Sequence, residues 1–221
     1  MGRARQPAVR SIFRAAAPGV MAPMRMIWLP GAYHAARDFL EAGFPEAVLL
    51  RHLPVDLSFV DLDLRYLGDD AAQQQLRTEM VLPARKLGVS VWLAGVSLGG
   101  FIALDYAATF AGELDGVCLL APYLGNRMLT AEIAAAPGLD AWAPGELAEA
   151  DAERRVWRYL KTRVADPPAL YLGFGHDDRF AAAHKLLAAA LPPASVDVIA
   201  GGHEWRTWVR LWENFLESRF T

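Results

Sequence analysis

Ser97 stands in Gly95-Val96-Ser97-Leu98-Gly99-Gly100, a G-x-S-x-G arrangement that sets a hydroxyl among glycines. With 18 glycines and 6 serines in 221 residues, random placement gives only about 0.04 such matches, so the motif asks for a chemical reason. A serine at the tip of a strand-to-helix turn adopts strained backbone angles, and glycines beside it let neighbouring backbone approach without a Cβ clash. The helix behind such a turn aims its first amides and the positive end of its dipole at the serine, where an oxyanion can be held. The plainer alternative is a glycine-rich turn with a capping serine. Other groups able to do chemistry stand far away in sequence. They are Pro30-Gly31-Ala32-Tyr33, Gly175-His176-Asp177-Asp178 and Gly201-Gly202-His203.

To meet at one place these segments need a scaffold, and the chain alternates strand and helix signals. Apolar runs at Met24 to Pro30, Val55 to Leu62, Val89 to Ala94, Gly116 to Ala121, Ala169 to Phe174 and Val196 to Ala200 read as strands. Most lack clear period-two alternation, which suits strands covered on both faces. Between them lie a short helix through Phe39 and one capped by Asp69 and Asp70, carrying Leu76, Met80 and Leu87 and closed by Gly88. Further helices run through Tyr106, from about Phe180 to Leu191, and from about Trp205 to Arg219. The expected fold is α/β: a mostly parallel sheet of about six or more strands with helices on both faces. Residues 123–167 break the beat with a helix-like insertion punctuated by Pro137-Gly138 and Pro144-Gly145. Each chemistry-bearing segment falls at a strand end, and in open α/β sheets ligands bind outside the carboxyl ends of the strands.

Composition narrows the classes. At 54% apolar and 21% charged residues the chain is an ordinary globular domain, with a net charge of -3 that offers no basic field for nucleic acid. No uninterrupted apolar run reaches the 18 or so residues of a membrane span. The one cysteine, Cys118, lies in an apolar run and has no second thiol for a disulfide or metal pair. A cytoplasmic location is expected. There is no phosphate-binding glycine loop of the G-x-x-x-x-G-K-[ST] type and no H-E-x-x-H, so no cofactor and no metal is expected. Five arginines and no acid fall within residues 1–25, while the remainder carries 17 basic against 25 acidic residues. Residues 1–23 therefore read as a basic, flexible extension to a domain spanning 24–221. An export or targeting arm, or a start codon placed too early, are the other readings.

From about residue 24 to the end the chain resembles the α/β-hydrolase superfamily, whose members order an oxyanion loop, a serine elbow, an acid and a C-terminal histidine. The resemblance implies a Ser97 nucleophile, a His203 base and an acid at Asp178 or, less favoured, Asp177, the remaining aspartate capping the helix from Phe180. It implies backbone oxyanion donors at Leu98 and Ala32, with Tyr33 an alternative because Pro30 replaces the usual histidine before the glycine. Residues 123–167 occupy the lid position, and Tyr33 and Tyr123 are expected to touch substrate. His34 and His176 flank strand ends and could line the pocket, whereas His52 and His184 read as surface or packing residues. The implied activity is hydrolysis of a small-molecule carboxylic ester or thioester through an acyl-enzyme. An acyltransferase or lyase of the same fold, or a non-catalytic ligand-binding relative, are the alternatives.

Overall fold

The computed structural model describes residues 9–61, 70–145, 151–162 and 168–220. Seven strands form one sheet: β1 (Ser11–Arg14), β2 (Met24–Leu29), β3 (Val55–Val60), β4 (Ser90–Val96), β5 (Gly116–Leu120), β6 (Ala169–Gly175) and β7 (Val196–Ile199). Their spatial order is β1-β3-β2-β4-β5-β6-β7. All neighbouring pairs are parallel except β1 with β3. The order reverses direction between β2 and β4, the switch point at which a crevice opens beyond the carboxyl ends of the strands.

The helices are α1 (Ala36–Glu41), α2 (Phe44–Leu49), α3 (Asp70–Leu76), α4 (Leu82–Lys86), α5 (Leu98–Phe110), α6 (Arg127–Ala134), α7 (Ala152–Thr162), α8 (Ala181–Ala189) and α9 (Trp205–Phe220). The strand pleat sorts them onto two faces. Trp28 of β2 and Trp92 of β4 share one face by register and meet Trp212 and Phe215 of α9 at ring distances of 5.0 and 5.4 Å. Gly95 points to the opposite face, onto α5. α9 earns its place by pattern: Trp208, Leu211, Trp212, Phe215 and Leu216 are all buried and recur at the spacing of one helical stripe. α2, a short helix with Pro45 in its first turn, carries no periodic signal of its own; the Trp212 indole N–H donates to the Phe44 carbonyl and pins it.

The helix expected from Asp70 to Gly88 is one helical run interrupted by a π-helical turn at Arg77–Val81. Pro83 accounts for it, since proline donates no N–H and crowds the carbonyl four residues earlier, so the ladder shifts register there. The proposed cap Asp69 lies outside the described residues.

Two expectations need correction. Residues 1–23 do not stand wholly outside the domain: Ser11–Arg14 pairs antiparallel with β3, Asp61 N–H donates to the Arg10 carbonyl at 2.8 Å, and the buried Asp56 carboxylate accepts from the Ala16 amide at 3.0 Å. A four-residue edge strand with one face in solvent leaves no continuous apolar run to read. Residues 1–8 lie outside the described residues. In the insertion, α7 is part of the body. It packs on α5 with Val156 and Trp157 fully buried, and Arg155 grips the buried Asp105 carboxylate at 2.8 and 3.0 Å. Gln73 also donates to Asp105, so α3, α5 and α7 share one buried carboxylate. Among the described residues no helix is long and apolar enough to cross a membrane, and no cluster of three or more His, Cys, Asp or Glu could hold a metal ion.

Candidate active site

β4 delivers Ser97 into the turn before α5 with φ of 50°, the left-handed region that a serine enters only under constraint. The flanking glycines make the turn possible. A Cβ on Gly95 would overlap the Gly99 backbone, and one on Gly99 would overlap the Leu29 carbonyl at the end of β2. The Ser97 backbone is held from the far side as well. Its amide donates to the Leu120 carbonyl at 3.0 Å, and its carbonyl accepts from the Tyr123 amide at 2.8 Å. With those groups engaged, the side chain is the part of Ser97 left free to act.

His203 enters from the loop between β7 and α9. Its Nε2 lies 2.9 Å from Ser97 Oγ, and its Nδ1 lies 2.7 Å from Asp178 Oδ2. A carboxylate only accepts, so Nδ1 carries the hydrogen and Nε2 is left to accept from the serine hydroxyl. The imidazole is walled by the edges of Phe180 and Trp208, at ring distances of 5.2 and 5.0 Å.

Asp178, and not Asp177, is the carboxylate that meets His203. Its side chain is fully buried, and its other oxygen accepts from the Phe180 amide at 2.8 Å. Burial alone pushes its carboxyl up, but the bond from His203 and then the bond from the Phe180 amide outweigh that and hold it below the ordinary 3.8. The division of labour expected between the two aspartates is not seen, because Asp178 meets the histidine and also accepts from the Phe180 amide in the following turn. Asp177 is exposed and pairs with the exposed His176 at 2.7 Å, so neither contributes to this cluster.

The loop after β2 lies against the serine. A Cβ on Gly31 would sit 3.4 Å from Ser97 Cβ. Residues 31–34 form a β-turn closed by His34 N–H to the Gly31 carbonyl at 3.1 Å, with Tyr33 at φ of 66°, as in the third position of a type II turn. Among the described residues the amides of Ala32 and Leu98 form no hydrogen bond; Leu98 opens α5, whose first amides have no intrahelical partner. Tyr33 is almost wholly exposed, its side chain standing out from the turn. Tyr123 is different: its ring lies near Phe101 and Phe180, and its hydroxyl donates to Glu153 at 2.7 Å. Burial first, then the bond to Glu153, pushes that phenol up.

Sequence reasoning placed His34 only loosely. Its ring packs on Trp205 at 5.0 Å and Trp208 at 5.9 Å, its Nδ1 is buried beside Gly31, and burial together with nearby His203 lowers its pKa despite Asp38. It is thus a neutral side chain at the rim of the cluster. Phe180 was not singled out as a neighbour of His203, and Trp208 was read as beginning the closing helix next to it, with core packing the plainer role. The only signal for them was adjacency, two residues after Asp178 and five after His203.

The fold has close counterparts among solved structures. The chain is similar to FphF, a fluorophosphonate-binding serine hydrolase of Staphylococcus aureus, with a TM-score of 0.66 and 11% identity over 96% of this chain and 98% of that one. It is similar to a ferulic acid esterase, at 0.65 and 13% over 96% and 98%. It is also similar to the S-formylglutathione hydrolase FrmB from Staphylococcus aureus, at 0.62 and 12% over 96% and 97%. No protein-family model and no curated protein matches the chain. The chain has the α/β-hydrolase fold.

Proposed function

We propose that the chain is a serine hydrolase that cleaves a small carboxylic ester or thioester through an acyl-enzyme on Ser97. The observation that carries this reading is the unbroken relay from Asp178 through His203 to Ser97, at 2.7 and 2.9 Å, ending on a serine with φ of 50°. In the acylation step Ser97 Oγ attacks the acyl carbon and its proton passes to His203 Nε2. The carbonyl oxygen becomes an oxyanion that the Ala32 and Leu98 amides receive. The tetrahedral adduct collapses, breaking the bond to the alcohol or thiol, which leaves with the proton from His203. Water then attacks the acyl-enzyme, giving its proton to His203, and the acid departs as Ser97 regains its hydrogen. Asp178 stays ionised throughout and steadies the imidazolium.

Three names among the similar structures support the ester and thioester choice: one binds fluorophosphonates, one is a ferulic acid esterase, and one hydrolyses S-formylglutathione, a thioester. In this reading Tyr123, whose ring lies near Phe101 and Phe180, borders the acyl side. α6 begins four residues after Tyr123, with Leu129 and Ile133 buried and Met128 exposed. The test is turnover of 4-nitrophenyl esters and acyl-thioesters of graded chain length by native protein and by Ser97→Ala. Release of acid that Ser97→Ala abolishes supports the reading. Product that appears only when an acceptor alcohol is added would replace it with acyl transfer.

A further inference from the structure

Where β5 ends, residues 120–123 wrap the backbone of Ser97. Leu120 accepts from the Ser97 amide, Tyr123 donates to the Ser97 carbonyl, and between them the chain turns through Ala121 at φ of 46°. A non-glycine residue in that conformation must be held by its surroundings. Ala121 is tied to β6 through its amide, which donates to the Gly173 carbonyl at 2.8 Å. Pro122 has no N–H, so its carbonyl is the one backbone group by which it can be held.

His184 of α8 takes that carbonyl, with Nε2 2.9 Å from the Pro122 oxygen. A carbonyl only accepts, so Nε2 carries the hydrogen and Nδ1 is bare; among the described residues Nδ1 has no partner. His184 is completely buried beneath Phe174. Burial lowers its pKa, against the pull of Asp178 and the Pro122 bond and with the push of His203, which keeps it in the neutral form this bond uses. The helix carrying it grows out of the turn that holds the acid: Ala181 N–H donates to the Asp178 carbonyl at 2.9 Å, and His184 N–H to the Phe180 carbonyl at 3.1 Å. One side chain thus ties the strap around the Ser97 backbone to the helix whose entrance holds Asp178.

We infer that His184 is a positioning residue, whose Nε2–H bond to the Pro122 carbonyl fixes the distance between the Ser97 hydroxyl and the Asp178–His203 pair. The inference rests on the reading of Ser97 as the nucleophile. The sheet's last bond on this segment is from the Ala121 amide to the Gly173 carbonyl, so Pro122, the next residue, needs a tether from outside it.

The experiment compares fluorophosphonate labelling rates of native protein, His184→Leu, His184→Gln and His184→Asn, each with its thermal melt, and Ser97→Ala as blank. Loss of the tether moves the reacting groups by a fraction of an ångström or more, so His184→Leu is expected to label about 10–100-fold more slowly. His184→Gln, whose amide reaches the Pro122 oxygen from nearly the Nε2 position, is expected within about threefold of native by the same reasoning. Native labelling speed in folded His184→Leu overturns the inference, as does a His184→Gln variant as slow as His184→Leu at equal stability. If His184→Leu does not fold, the two amides decide: a shorter asparagine is expected to be slow, and equal rates for both overturn the tether. Absence of labelling in native protein instead removes the nucleophile reading beneath it.

Discussion

Replacing Asp178 by asparagine changes one atom and, in this geometry, reverses a tautomer. One carboxylate oxygen accepts from the Phe180 amide and the other from His203 Nδ1. An asparagine must keep its carbonyl on Phe180 N–H, because turning its NH2 there would set two donors against each other. The NH2 then faces His203 and donates to Nδ1, which forces the ring hydrogen onto Nε2, opposite Ser97 Oγ. A protonated Nε2 cannot take the serine proton. Wrong-tautomer substitutions of a triad acid lower kcat by about 10⁴, or some 5.4 kcal/mol at about 1.36 kcal/mol per decade. The shape and the bond to Phe180 survive, so the thermal melt should move little while turnover of a 4-nitrophenyl ester collapses. Asp177→Asn, at an exposed position paired only with exposed His176, should leave turnover within about twofold, as surface pairs contribute little. Full activity in folded Asp178→Asn, or collapse in Asp177→Asn, would refute the reasoning.

Three further outcomes are expected. Ala32→Pro removes a single N–H at the second position of a type II turn, which tolerates proline; kcat should fall about 10²–10³-fold with KM unchanged and the fold intact. Deleting residues 1–20 strips β1 from β3 and takes the Ala16 amide from buried Asp56, a loss of about 1–3 kcal/mol, so the melting temperature should drop by several degrees; an unchanged melt would contradict the pairing. His184 and His34 both have folded pKa values below 6.5, so the stability they confer is complete above about pH 6.5 and is lost as pH falls below it, whereas that from Asp178 is lost only below 3.8. Denaturant titrations of His184→Gln should accordingly lose less stability between pH 6.5 and 4 than native protein.

What the sequence revealed and what it hid follow from the range of the interactions involved. Ser97, Asp178 and His203 were legible because each follows an apolar strand, and parallel strands bring their carboxyl ends to one edge whatever lies between. The elbow was legible because close backbone approach leaves glycine as the residue for positions 95 and 99. Long-range pairing hid the rest. β1 is four residues long and owes its existence to β3; α2 is held by a tryptophan far along the chain. His184 sat in an alanine-rich helix with nothing local to mark it, and its partner is the carbonyl of a proline 62 residues away. The choice between Asp177 and Asp178 needed family spacing in sequence and became a distance in the structure.

The most direct measurement is intact mass and peptide mapping after exposure to a fluorophosphonate, on native protein and on folded Ser97→Ala and His203→Ala variants. One adduct, mapped to Ser97, absent from Ser97→Ala and strongly slowed in His203→Ala, is the expected result. An adduct on another residue, or equal labelling of native protein and His203→Ala, would contradict an activated Ser97 served by His203.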